Sequence, residues 1–376
     1  MKSENFSQNL NPNGVKQMKK TYAIATLLVT TLASFVQAAP IITTELAGDL
    51  AAVYLNQPVA VEAGTPIMVG CSLARPAVFK GEVNVAVTAT ATAFTASGTD
   101  VFNGLALAGG SEAEPTSDNH WIVEFTSGAY TGLVKQVTGF SGSTVNVAGG
   151  LPVIDAGTRF VLRKDHTLGS LFGNADSSDV VTKSGLTSGS TAGSADVISV
   201  LNSSGQWVKY FYRAGTGWRL TTARSGSDRQ HVRVSLGSGV LMSPILSKTI
   251  GLSGEYRGAR ARVTLVNAAT IVANPYPVST TLAQTDLAST LAKDITASNS
   301  DEIRVLQSSR FVNYFARSGT GATSPGGVTY AGFKASLNRN GASVDDTITI
   351  PAGGAVLVKR VGEIHDLTFR PQYLAQ

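Results

Sequence analysis

One cysteine, four histidines and three tryptophans in 376 residues leave little material for several kinds of chemistry. A lone Cys71 excludes an internal disulfide framework, and its apolar setting (Ile67-Met-Val-Gly-Cys-Ser-Leu73) reads as a small buried hydrophobe. His120, His166, His231 and His365 stand singly, without the clustered His or Cys ligands of a zinc site, and read as surface polar residues. Asp165-His166 and His365-Asp366 are sequence neighbours, but neighbours along a strand point to opposite faces. His120 and Glu124 share a strand face, about 13 Å apart, too far to share a metal. No Gly-x-Ser-x-Gly elbow is present, and no glycine-rich phosphate loop joins a strand to a helix.

Charge is scarce as well, at 15% of residues. The acids fall mainly in polar loops, such as Glu112 with Glu114, Asp176 with Asp179 and Asp345 with Asp346, and solvation is their default role. Asp176-Ser-Ser-Asp179 gathers hard oxygen ligands, but not in the spacing of a known calcium loop. Distant carboxylates of a glycosidase are left open. The reading is a protein that is not an enzyme, with no catalytic residues, no cofactor and no metal.

Long apolar runs are missing, with one informative exception. Lys19 and Lys20 precede the apolar run from Ala23 to Val36, which ends in Val36-Gln37-Ala38. This is the layout of a secretory signal peptide cleaved between Ala38 and Ala39. The run falls short of the roughly 20 residues a membrane helix needs, so the mature chain is expected not to span a membrane. Residues 1–17 are polar and precede a complete leader starting at Met18, which suggests an over-called start. Residues 1–38 hold Lys2, Lys16, Lys19 and Lys20 against Glu4, a net of +3, which leaves about +2 of the stated +5 for the mature chain. A nucleic-acid binder would keep a concentrated basic surface. Only Arg257, Arg260 and Arg262 approach one, and an exposed sheet face accounts for them, so no nucleic-acid partner is expected.

What is present is a strand pattern. Gly, Ser, Thr, Ala and Val dominate, and short apolar/polar alternations recur between glycine-rich breaks. Examples are Val83, Val85 and Val87, then Trp121 to Phe125, Thr144 to Val147, and Thr158 to Leu162. The fold class read from this is all-β, as sandwiches or small barrels. The best helix candidate is Thr281 to Ile295, where Leu287, Leu291 and Ile295 recur every four residues.

An internal repeat organises the chain. Asp196 to Gly217 lines up with Asp301 to Gly321, the second copy one residue shorter. Ile198 matches Ile303, Val200 matches Val305, Trp207 matches Phe311, Tyr210 and Phe211 match Tyr314 and Phe315, and Arg213 matches Arg317. Val232 to Met242 resembles Ile348 to Val358, and Ile67 to Gly70 plus Thr167-Leu168 pairs with Ile271 to Pro277 plus Thr281-Leu282. The expected organisation is a first β unit over residues 39–77 and 164–266, a small barrel-like insert over 78–163, and a second β unit over 267–376. Insertion succeeds where a surface turn brings the chain ends together.

Four pieces carry a family resemblance: Arg75 to Phe79, His166 to Phe172, Asn274 to Pro277, and Ile350 to Arg360. They resemble a paralogous family of secreted, β-rich proteins of unknown function from Verrucomicrobia. The resemblance implies the architecture and the compartment, and brings no catalytic residues.

In the strand from Trp207 to Arg213, Trp207 and Phe211 face one way and Tyr210 and Tyr212 the other. The matches at Phe311 and Phe315 suggest Trp207 and Phe211 as the core face. That leaves Tyr212 and Trp218 as candidates for stacking on sugar rings. Burial of the strand on both sides between layers is the favoured alternative. The leading functional expectation is a secreted or cell-surface structural or adhesive protein, periplasm and outer envelope included. A carbohydrate-binding module or accessory of a secreted glycan hydrolase is the second, and an outer-membrane barrel the third. The partners this leaves are surface glycans, other cell-envelope proteins, or further copies of the chain.

Overall fold

The computed structural model describes residues 41–45, 52–173, 184–257, 261–265, 269–285, 287–318, 330–338, 340–361 and 365–369. Among these, strands dominate and the longest helix is Leu168–Phe172, so the fold is all-β.

One five-stranded antiparallel sheet runs in the order Ile67–Gly70, Gly239–Ser243, Val197–Leu201, Trp207–Arg213, Gly217–Leu220. A second runs Ala269–Ala273, Ala355–Lys359, Glu302–Gln307, Arg310–Ser318, Tyr330–Ala335. The chain visits the five places of each sheet in the same order. Registers agree too: Ile198 opposes Tyr210 and Met242, while Ile303 opposes Tyr314 and Val358. The short pair His166–Thr167 with Arg233–Val234 recurs as Thr280–Thr281 with Thr349–Ile350. The upstream match shifts by one residue from its sequence alignment, since Met68 opposes Leu241 as Ile271 opposes Leu357.

Each sheet covers its own core. Ile198, Tyr210, Tyr212, Trp218 and Met242 pack with Val59, Val61, Ile250 and Leu252 of the antiparallel pair Ala52–Val61 and Lys248–Glu255. In the other sandwich Ile303, Tyr314, Ala316, Phe333 and Val358 pack with Leu265 and Leu367 of the pair Ala261–Leu265 and His365–Phe369. The opposite faces of the two sheets meet each other, where Met68, Leu201, Trp207 and Leu241 pack with Ile271, Leu306, Phe311 and Leu357. The expected core face is therefore corrected. Tyr210 and Tyr212 point into the sandwich, while Trp207 and Phe311 lie between sandwiches. Period-two alternation separates the two faces but does not say which one meets which layer.

The crossing of the two sheets is close and reciprocal. The Gly70 N–H donates to the Gly353 carbonyl at 2.7 Å, and the Ala273 N–H to the Gly237 carbonyl at 2.8 Å. A Cβ on Gly70 would collide with the Gly354 carbonyl oxygen, so the approach requires glycine there.

A six-stranded sheet runs Ala77–Glu82, Arg159–Lys164, Trp121–Phe125, Val134–Ser141, Thr144–Val147, Ala93–Thr95. Its ends join, with Asn84 N–H donating to the Thr95 carbonyl at 2.8 Å and Ser97 N–H to the Glu82 carbonyl at 2.9 Å. This small barrel has its own core, built on Phe94, Phe102, Phe125 and Phe160. Closure also breaks the anticipated Val83–Val85–Val87 strand. The strand ends at Glu82, Val83 and Val87 turn inward, and Val85 stays 64% exposed.

The expected helix from Thr281 to Ile295 is replaced by a 3-10 turn, Leu282–Gln284, and one turn of α-helix, Leu287–Thr290. Leu287 and Leu291 are buried as their spacing implies, but Ile295 is 52% exposed. Thr285 Oγ1 turns back to the Leu282 carbonyl at 2.8 Å, the local competition that makes threonine a poor helix interior residue.

Candidate functional site

The two residues singled out for ligand stacking are core residues. Tyr212 and Trp218 are register partners in neighbouring strands, so both side chains project into the first sandwich. Trp218 is fully buried, and its Nε1–H donates to the Gly173 carbonyl at 2.8 Å. Its ring meets Tyr212 edge-on at 5.7 Å and lies 6.0 Å from Phe172. Neither aromatic offers a flat face to solvent, which removes the stacking platform. The cleavage pair Ala38 and Ala39, together with Arg260, Asp176 and Asp179, lies outside the described residues.

Chemistry-bearing side chains gather instead where the barrel meets the first sandwich. Trp121–Phe125 is buried along its whole length, because its outward face is covered as well as its inward one. That places the Glu124 carboxylate between two guanidinium groups, Arg163 Nε at 3.3 Å and Arg257 Nε at 2.9 Å. Arg163 in turn makes a two-pronged contact with Glu255, at 2.6 and 2.7 Å, and donates to the Arg75 carbonyl at 2.8 Å. Burial works against the Arg163 charge, but Glu255 and Glu124 more than offset it and raise its pKa above the ordinary arginine value. Arg257 is thus not part of an exposed basic face. Arg262 leaves that face too, stacking over the Tyr130 ring at 5.1 Å.

A second group lies alongside. Asp165 is fully buried and accepts from Arg233 Nε at 2.6 Å, Leu236 N at 2.8 Å and its neighbour His166 N at 3.0 Å. His166 is itself buried, and its Nε2 donates to the Leu73 carbonyl at 2.7 Å, which corrects its surface assignment. His120 Nε2 donates to the His231 carbonyl at 2.9 Å, and burial lowers its pKa. Asp118 holds Arg75 at 3.2 Å and Lys164 at 2.8 Å; burial opposes its ionisation, but these cations bring its pKa below the usual carboxylate range. Burial and the Asp165 charge push the Cys71 thiol well above its ordinary value, which keeps it protonated and unreactive.

The loop acids are also engaged. Glu112 accepts from Ser203 N at 2.9 Å and Oγ at 2.5 Å, and Glu114 pairs with Arg229. Asp345 caps the Phe333 N–H of an edge strand at 2.6 Å.

Such an arrangement joins layers rather than activating a nucleophile. The cavity beside Cys71, lined by Gln57, Ser72, Leu73, Leu171, Leu252 and Ser253, measures about 10 Å³, room for at most one water. Among the described residues no three His, Cys, Asp or Glu side chains are placed to hold a metal ion. Sequence reading missed the Glu124–Arg163–Arg257–Glu255 group, though a signal existed. Glu124 interrupts the otherwise apolar strand Trp-Ile-Val-Glu-Phe, and Arg163 follows the apolar run Phe-Val-Leu in its neighbour.

The class defined by these observations is an all-β protein with several multi-stranded sheets. No family model, no curated protein and no solved structure matches the chain. Among the described residues no helix is long and apolar enough to cross a membrane.

Proposed function

We propose that the chain is an exported, non-catalytic β-protein with a structural or adhesive role at the cell surface, built from two copies of one sandwich with the barrel inserted in the first. The observation that carries this reading is where the aromatic and ionic side chains are used. Trp207 and Phe311 are committed to packing sandwich against sandwich, Trp218 to its own core, and Glu124 with its arginines to seating the barrel. The leader read from the sequence supplies the export step, and the resemblance to secreted β-rich proteins points to the same compartment.

Fractionation of expressing cells, combined with protease shaving of intact cells, tests the reading. Recovery of a processed chain at the surface, and loss of adhesion or envelope integrity on deletion, is the expected result. An unprocessed cytoplasmic chain, or turnover of a substrate by the purified protein, would overturn it.

A further inference from the structure

We propose that the barrel is seated on the first sandwich through a proton-sensitive polar seam, and that mild acid releases it while both sandwiches and the barrel itself stay folded. The barrel has a separate core and a closed sheet, so its own integrity does not depend on the seam. Among the described residues the apolar cluster at the seam is small, Ala74, Ile122 and Leu236 with the partly buried Val134. The other contacts include the Glu124–Arg163–Arg257–Glu255 group, Arg75 on Asp118, His120 on the His231 carbonyl, Glu112 on Ser203, Glu114 and the Ala113 carbonyl on Arg229, and Arg262 on the Gly132 and Ala129 carbonyls. Polar interfaces of this kind are those that open and close, whereas large apolar ones hold rigid.

His120 is the group whose charge changes near neutral pH. Arg233 faces it from the strand Arg233–Val234, Asp165 from the residue before His166–Thr167, and His231 from the loop between. The Asp165 charge is already shared with Arg233 at 2.6 Å, and the Asp118 charge, two residues along the chain, with Arg75 and Lys164. A proton on His120 therefore adds a partly buried positive charge beside Arg233, and only hydration relieves it. Hydration here means parting the seam. Burial holds the His120 pKa below its free value. The open form therefore binds more protons below about pH 6.5, and docking weakens as pH falls.

Hydrogen exchange on the full chain at about pH 7.5 and about pH 5, corrected for the intrinsic rate change, tests this. The amides of Asp165 and Arg262, which donate to the His120 and Gly132 carbonyls of the barrel, should lose up to about tenfold protection per unit below pH ~6.5. Amides of the barrel core and both five-stranded sheets should keep theirs. His120→Gln retains a side-chain N–H for the His231 carbonyl without a titrating ring, and should hold the seam closed to lower pH. The proposal is overturned if the wild-type seam stays protected at about pH 5, or opens together with the barrel core. Equal opening in wild type and His120→Gln overturns it as well.

Discussion

Asp196 and Asp301 occupy the same position in the two sandwiches and do the same work there. Each is buried at the start of a central strand. Asp196 accepts from Thr187 N at 2.7 Å and Ile245 N at 2.9 Å; Asp301 accepts from Ala292 N at 2.9 Å and Val361 N at 2.6 Å. Both donors lie at equivalent points of the two chain paths, so one carboxylate pins two backbone segments in each copy. Asp196 also pairs with Lys248.

Removing either carboxylate leaves buried N–H donors without an acceptor, at about 1–3 kcal/mol each. Asp301→Ala should lower unfolding free energy by a few kcal/mol, and Asp196→Ala by more, because Lys248 loses its counter-ion. Urea titration with tryptophan fluorescence measures both. Equal, small effects would show that the pins are not structural.

Trp218→Ala should cost about 3–5 kcal/mol, the range for emptying a large core site, and Trp218→Phe distinctly less. Denaturant midpoints compare them. Near-neutral Trp218→Ala would mean that the ring is not buried in solution.

Glu124→Gln leaves Arg163 and Arg257 facing a neutral amide in a buried seam. Breaking a buried ionic group this way costs about 3–5 kcal/mol, whereas replacing the whole group with apolar residues is often neutral. The single variant should unfold earlier in calorimetry, and Glu124→Leu combined with Arg163→Leu, Arg257→Met and Glu255→Leu should recover most of the loss.

Cys71 should resist iodoacetamide at neutral pH in the folded chain and react at once in denaturant, because the buried thiol is held protonated. Mass spectrometry of the alkylated chain gives the answer directly.

The all-β class was legible in the sequence, because strands announce themselves by alternation; matched residues such as Tyr210 and Tyr314 fall at matching register positions of the two five-stranded sheets. The faces were not. A strand buried on both sides carries apolar residues at every position, so Trp207 and Tyr212 look alike until layers are placed around them. The helix between Thr281 and Ile295 failed for a related reason. Leu287 and Leu291 recur at a helical interval because both fill the core, while the threonines around them favour turns. The polar seam stayed hidden because its members lie far apart in the chain: Glu124 and Arg163 meet through the pairing of their strands, and Arg257 reaches Glu124 from outside the barrel.

The barrel enters and leaves the first sandwich on adjoining strands, where Ala77 and Arg163 are register partners. Its two ends are therefore already neighbours. The stretch from Ala77 to Arg163 thus starts and ends at one place, while its Glu112–Glu114 loop reaches out to Ser203 and Arg229. The two five-stranded sheets, by contrast, are held to each other at Gly70 and Ala273 by the Gly353 and Gly237 carbonyls.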